Sequence, residues 1–93
     1  TDDKEINALR SMTEKIIRSV DEKLTMHDFR VVKGETHTNL IFDVVVPVDY
    51  ELHSSELVDL IESEIKKINE TYFAVVTVDK NYVSTYINDL KIK

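Results

Sequence analysis

Four ionisable side chains occupy strand-like surroundings in which apolar residues are the rule. His27 and Asp28 open the run Met26-His27-Asp28-Phe29-Arg30-Val31-Val32, Asp43 interrupts Leu40-Ile41-Phe42-Asp43-Val44-Val45-Val46, and Asp79 closes Tyr72-Phe73-Ala74-Val75-Val76-Thr77-Val78-Asp79. A carboxylate next to Phe42 and Val44 is expensive to desolvate unless a cation or hydrogen-bond donors compensate it. Two compensations are open. Arg30 can pair with Asp28 or Asp43. Alternatively, His27, Asp43 and Asp79 converge on a divalent cation, for which imidazole nitrogen and carboxylate oxygen are suitable ligands. His37, beside a turn, and His53, ahead of a helix, read as solvated loop residues; the i, i+3 spacing of His53 and Glu56 permits shared ligation but is common.

Other chemistries find no support. Gly34 is the single glycine, which removes phosphate loops and dinucleotide fingerprints. The absence of Cys removes disulfides, thiolate metal sites and Cys nucleophiles together. No Ser stands in a recognisable nucleophile signature with His and an acid, and most remaining carboxylates fall on helix faces, where they are solvated charges. The chain is not expected to be an enzyme.

These residues must be positioned by a small domain. The 93 residues carry 12 Lys and Arg against 18 Asp and Glu, a net charge of 12 − 18 = −6. That balance disfavours nucleic acid, whose phosphates require clustered cations. At 42% hydrophobic and 32% charged, with one Gly and one Pro, the composition is that of a regular folded domain. A chain of this length buries only about 60 to 65% of the surface its unfolded form exposes, so a partner subunit would help it. No apolar window approaches the roughly 18 residues of a membrane span, so no membrane insertion of this chain is expected. Thr1-Asp2-Asp3-Lys4 does not begin a signal peptide, and a start without Met fits either a piece of a longer chain or ordinary Met removal before Thr.

Ile6, Leu9, Met12, Ile16, Val20 and Leu24, with Ile17 alongside, mark one face of a helix capped by Asp2 or Asp3. Residues 26–33 and 38–46 read as a hairpin around Gly34-Glu35-Thr36, with Pro47 ending the second strand. Centring the turn on Glu35 sets Lys33 opposite His37, Val31 opposite Asn39, Phe29 opposite Ile41 and His27 opposite Asp43. One face then holds His27, Phe29, Val31, Ile41, Asp43 and Val45, and the other holds Val32, Leu40, Phe42, Val44 and Val46. Both are apolar, which calls for a second cover, most simply a second copy of the chain. A second helix starts at Ser54 or Ser55 and runs to about Asn69, burying Leu57, Ile61, Ile65 and Ile68. A third strand spans 72–79, with Phe73, Val75, Thr77 and Asp79 on one face, and Asp79-Lys80-Asn81 turns. Beyond it, Tyr82, Val83, Tyr86, Ile87 and Leu90 recur at loosely helical spacing in a tail, 83–93, whose order the pattern does not determine. The order α-β-β-α-β predicts a single α+β domain over 1–93, a two-layer sandwich with a three-stranded sheet and the split β-α-β arrangement of ferredoxin-like domains.

The segments Met26 to Gly34, Thr36 to Pro47 and Tyr72 to Asp79, with the helices between and before them, resemble the cytoplasmic C-terminal domain of bacterial cation diffusion facilitator transporters over about residues 3 to 83. The His-Asp-hydrophobic-Arg opening of the first strand is the most telling element. The resemblance implies a metallochaperone-like fold and a homodimerising, metal-sensing cytoplasmic domain of a plasma (inner) membrane protein. It also implies a membrane domain upstream of Thr1 that exchanges divalent cations for protons. It further implies ligands at His27, at Asp43 in mid-strand, at Thr77 and Asp79 ending the third strand, and at Glu56 from the partner subunit. Asp43, Thr77 and Glu56 stand where the family often has His, and Thr77 is a poor ligand. The remaining set, His27, Asp43, Asp79 and Glu56, favours Zn²⁺ bound weakly, with Mn²⁺ or Fe²⁺ tolerated. The alternatives are a metal-independent dimer brace of the same transporter, with Asp43 held by Arg30, or a stand-alone ferredoxin-like ligand sensor. The transported ion is not encoded in these residues.

Overall fold

The computed structural model describes residues 2–80, which form α1 (Asp3–Val20), β1 (Thr25–Lys33), β2 (Thr38–Val46), α2 (Ser54–Ile68) and β3 (Tyr72–Lys80). This is the expected α-β-β-α-β order. The helical spacing noted in the tail, 83–93, lies outside the described residues.

The side chain of Asp2 caps α1 by accepting the Lys4 N–H at 2.6 Å, while Asp3 and Glu5 in the first turn and Arg18 in the last complement the helix dipole. The helix stops before Leu24, where the apolar stripe had placed its end. Asp21 leaves the helical conformation, its carboxylate accepts the Lys23 N–H at 2.9 Å, and its carbonyl accepts the Leu24 N–H at 3.1 Å. Leu24 still reaches the core, delivered by this turn. Thr13 joins the buried stripe, its hydroxyl donating to the Leu9 carbonyl at 2.8 Å. That bond satisfies the polar group locally, so a threonine fits a position where the pattern asks for an aliphatic.

The start of α2 corrects the expected Ser54 or Ser55 cap. The Leu57 N–H bonds the His53 carbonyl at 3.0 Å, which makes His53 the cap residue, without a side-chain hydrogen bond. Leu57, Ile61 and Ile65 are fully buried, but Ile68, expected in the same stripe, is 56% exposed. It is the last helical residue, and Asn69 turns the chain at once into β3, its side-chain oxygen accepting from the Thr71 N–H at 2.9 Å.

The sheet order is β1-β2-β3, with β1 antiparallel and β3 parallel to the central β2. β3 runs one residue further than expected, through Lys80, which pairs with Val46. Both helices pack on one face, α1 over β1 and α2 over β3, and touch each other. Leu40, Phe42, Val44 and Val46 of β2 are buried beneath them with Ile17 and Leu24. Each such side chain contributes roughly 1.5 to 3 kcal/mol of transfer free energy.

The hairpin register differs from the expected one. The Gly34 N–H bonds the His37 carbonyl at 2.8 Å, closing a loop one residue longer, so Lys33 pairs with Thr38, Val31 with Leu40 and Arg30 with Ile41. A β-bulge then sets Asp28 and Phe29 together opposite Phe42, and His27 pairs with Asp43 after all. The consequence is a change of face. Phe29 and Val31, expected beside Ile41, lie on the core side, where the Phe29 ring stacks on Phe42 with centroids 6.1 Å apart. Val32 takes the outer side and is 51% exposed. Gly34 suits the tight turn, since a Cβ there would lie 3.0 Å from the His37 carbonyl oxygen.

The two faces therefore predict different sensitivities. Phe42→Ala should destabilise the domain by about 3 to 5 kcal/mol, and Val75→Ala on the outer face by less than about 1 kcal/mol, read from urea unfolding midpoints at constant m-value. Comparable losses would mean that the outer face is buried as deeply as the core.

Candidate metal centre

On the outer face, the face opposite the helices, His27, Asp43 and Thr77 are successive cross-strand partners in a single row over β1, β2 and β3. Asp79 belongs to the next row, paired with Val45. Directly opposed side chains in a sheet have Cβ atoms about 4.5 to 5.5 Å apart, and diagonal ones about 7 to 8 Å. The fold thus brings His27 and Asp43 together and sets Asp79 one diagonal away. Glu56 is exposed in the first turn of α2, on the helix layer, and its own chain does not bring it to the row.

The bulge adds a fourth residue. Asp28 has φ +56°, a left-handed conformation that aspartate tolerates better than most side chains. Its carboxyl group lies close enough to that of Asp43 to raise the Asp43 pKa through hydrogen bonding and charge. Partial burial pushes the Asp43 carboxyl above the ordinary aspartate range, the Asp28 hydrogen bond and charge and the Asp79 charge add to the rise, and Arg30 opposes it. The ion pairs among the described residues are Arg18 with Glu14, Lys33 with Glu5 and Lys67 with Glu64. Arg30 belongs to none of them, so the Arg30 ion pair considered for Asp28 or Asp43 is not formed; Arg30 acts on Asp43 only through its field.

Around the row the face is apolar. Phe73 and Val75 are 41% and 49% exposed, and Ile41 and Val45 lie between them and β1. His37, read as a solvated loop residue, contacts the Phe73 ring at 4.7 Å between centroids, and the Lys66 ammonium stands 3.6 Å from the same ring. His53 is the α2 cap residue.

The chemistry of this set suits a divalent cation. His27 lies opposite Asp43, and the Asp28 and Asp79 charges add to the desolvation that raises the Asp43 pKa, so a cation at this row would relieve part of that rise. The geometry is nevertheless incomplete in a single chain. Among the described residues no three His, Cys, Asp or Glu side chains form a group able to hold a metal ion as they stand. Sequence reasoning had weighed Asp28 only as a possible partner of Arg30; its juxtaposition with Asp43 depends on the bulge, and an Asp preceding an aromatic residue is too common a signal to announce one.

No family model and no curated protein matches the chain. Among solved structures, one reported as "Mode of Action of a Putative Zinc Transporter CzrB" superposes with a TM-score of 0.73 at 21% sequence identity, covering 87% of this chain and 98% of that one. The α-β-β-α-β domain with a three-stranded mixed sheet is thus the fold of that CzrB structure. No helix among the described residues is long and apolar enough to cross a membrane.

Because the folded state holds the Asp43 proton more tightly than the unfolded state does, stability should fall as pH rises through the interval between the ordinary aspartate range and the raised value. Asp43→Asn should remove that slope. Its melting temperature should exceed the parent's at pH 7, and the difference should shrink as pH is lowered past the ordinary aspartate range; a constant difference across pH would show that Asp43 is not strained.

Proposed function

We propose that the chain is the cytoplasmic dimerisation and metal-sensing domain of a divalent-cation/proton antiporter of the cation diffusion facilitator family. The observation that carries this reading is the pairing of His27 with Asp43, within the field of Asp28 and Asp79, on an apolar sheet face that neither helix covers. The shared fold with a structure reported as a zinc transporter supports it, as does the His-Asp-Phe-Arg opening of β1.

In this reading two copies meet through their outer faces or sheet edges. Val32, Phe73 and Val75 supply apolar contact, and Glu56 of the second copy supplies the ligand that one chain lacks. Two subunits of charge −6 repel, and a cation held among His27, Asp43, Asp79 and the second copy's Glu56 would bind the assembled state better than the separated one. That differential affinity is what allows an ion to shift the equilibrium. A set with one imidazole and several carboxylates takes Zn²⁺ weakly and accepts Mn²⁺ or Fe²⁺. The domain performs no catalysis; it reports the ion to a membrane domain expected upstream of Thr1. A metal-independent brace would use the same apolar face, and it is the reading that remains if dimerisation proves indifferent to metal.

Calorimetric titration of the chain with Zn²⁺ and with Mn²⁺ should give a saturable site that the His27→Ala/Asp79→Ala double variant weakens by at least roughly tenfold, since loss of outer-shell support alone costs that much. Affinity should fall on acidification, because ligation needs the neutral imidazole. Equal heats and stoichiometry in variant and parent would reduce the binding to surface carboxylate chemistry. Sedimentation velocity should show the dimer fraction rising with metal; a strict monomer at micromolar concentration with and without metal would remove the dimer.

A further inference from the structure

We propose that the free edge of β1 is a docking site for an extended acidic peptide segment of another protein, which adds to the sheet as a further strand and is gripped by two guanidinium groups. In the described sheet β1 pairs only with β2, so along its other edge alternate backbone N–H and C=O groups have no strand partner. A groove of about 710 Å³ follows that edge, between Phe29 to Val32 of the strand and the first two turns of α1.

The groove is basic on a chain of net charge −6. Of the arginines, Arg18 pairs with Glu14, while Arg10 and Arg30 belong to no ion pair among the described residues, and both of these line the groove. Arg30 is exposed and acts on Asp43 only through its field, so its donors stay open. The acid in the lining is Asp3, whose charge is offset by the helix dipole in the first turn of α1.

The two guanidinium groups flank the edge from opposite sides of the sheet. Arg30 pairs with Ile41 on the outer side. Arg10 belongs to the helix layer, where its guanidinium stands 5.7 Å from the centre of the Phe29 ring and donates to the Asn7 side-chain oxygen at 2.8 Å. Successive side chains of an extended strand point to opposite faces. A strand laid against β1 therefore offers one of two adjacent carboxylates to Arg10 and the other to Arg30, whereas acids two residues apart both face one side. Each guanidinium can take a carboxylate through paired N–H donors, the main chain supplies the ladder bonds, and the alternation of side chains selects the sequence. The ligand class is thus an extended peptide with two neighbouring acidic residues among apolar ones.

A second copy of the chain suits this edge poorly. The left-handed Asp28 and the bulge interrupt β1 before Arg30, which leaves Arg30 to Lys33 in regular register. Pairing those four residues with themselves about a two-fold axis sets Arg30 of one copy opposite Lys33 of the other, and like charges directly opposed are destabilising. The inference uses neither metal nor dimerisation, and both can fail without touching it.

Backbone amide shifts of the ¹⁵N-labelled chain in low salt, titrated with two end-blocked hexapeptides of identical composition, Thr-Val-Glu-Asp-Val-Thr and Thr-Glu-Val-Asp-Val-Thr, test this. The first should bind at least roughly tenfold more tightly, because the second can satisfy only one guanidinium. Its shifts should centre on Arg30 to Lys33. Arg10→Gln and Arg30→Gln should each abolish the preference, the latter, at an exposed position, without moving the urea midpoint. Equal affinities in the parent, no shifts at millimolar peptide, a preference that survives Arg30→Gln, or shifts centred on Ile41 and Val75 would overturn the proposal. So would edge shifts that grow with protein concentration without peptide, which would assign the edge to a second copy.

Discussion

Two helices can cover only one face of a three-stranded sheet. α1 and α2 both pack on the same side, over β1 and β3, and touch each other above β2. Everything apolar on that side is used: Leu40, Phe42, Val44 and Val46 of the central strand are buried to within 2% of completely. The other side of the same strands keeps Val32, Phe73 and Val75 in solvent. Among the described residues the domain folds around a single apolar layer and neither helix covers the second, on which the candidate chemistry is found.

The bulge at Asp28 and Phe29 joins the two faces. One extra residue in β1 turns Phe29 inward onto Phe42 and restores the pairing of His27 with Asp43 on the outside. Core packing and the layout of the ionisable row therefore depend on the same backbone irregularity. The left-handed conformation of Asp28, at φ +56°, costs an L-residue on the order of 1 kcal/mol. The stacking of Phe29 offsets that cost from the core side, and the result on the outer side is a carboxylate held against Asp43.

Asp43 is where this arrangement is electrostatically least comfortable. It is partly desolvated, flanked by Asp28 and within the field of Asp79, while Arg30 moderates the repulsion without an ion pair to Asp43. An apolar face with an unbalanced carboxylate cluster favours whatever brings positive charge and covers hydrophobic surface together. A divalent cation with a second subunit meets both demands. The CzrB structure shows that the fold persists at 21% identity, as expected when the layer arrangement is fixed by the pattern of burial and individual side chains are free to vary.

Sequence alone determined the element order, the central position of the strand at 38–46, the two faces of β3 and the apolar surplus, because these follow from periodicity of two and of 3.6, which survives in the chain as a pattern. It also placed His27 opposite Asp43, though by two one-residue departures that cancel: the turn is one residue longer than expected, and the bulge absorbs one residue on β1. Between those two points the strand is read onto the wrong face, and Phe29, Val31 and Val32 exchange sides. No local signal distinguishes a bulged strand from a regular one here, since the energy that selects it is the long-range stacking of Phe29 on Phe42 across the sheet. The ends of the helices were likewise decided outside their own sequence, α1 by the turn at Asp21 and α2 by the entry into β3. The approach of Asp28 to Asp43 and the absence of an Arg30 ion pair among the described residues belong to tertiary structure for the same reason: a one-residue shift of register reverses which side chains meet, and only the packed core fixes the register.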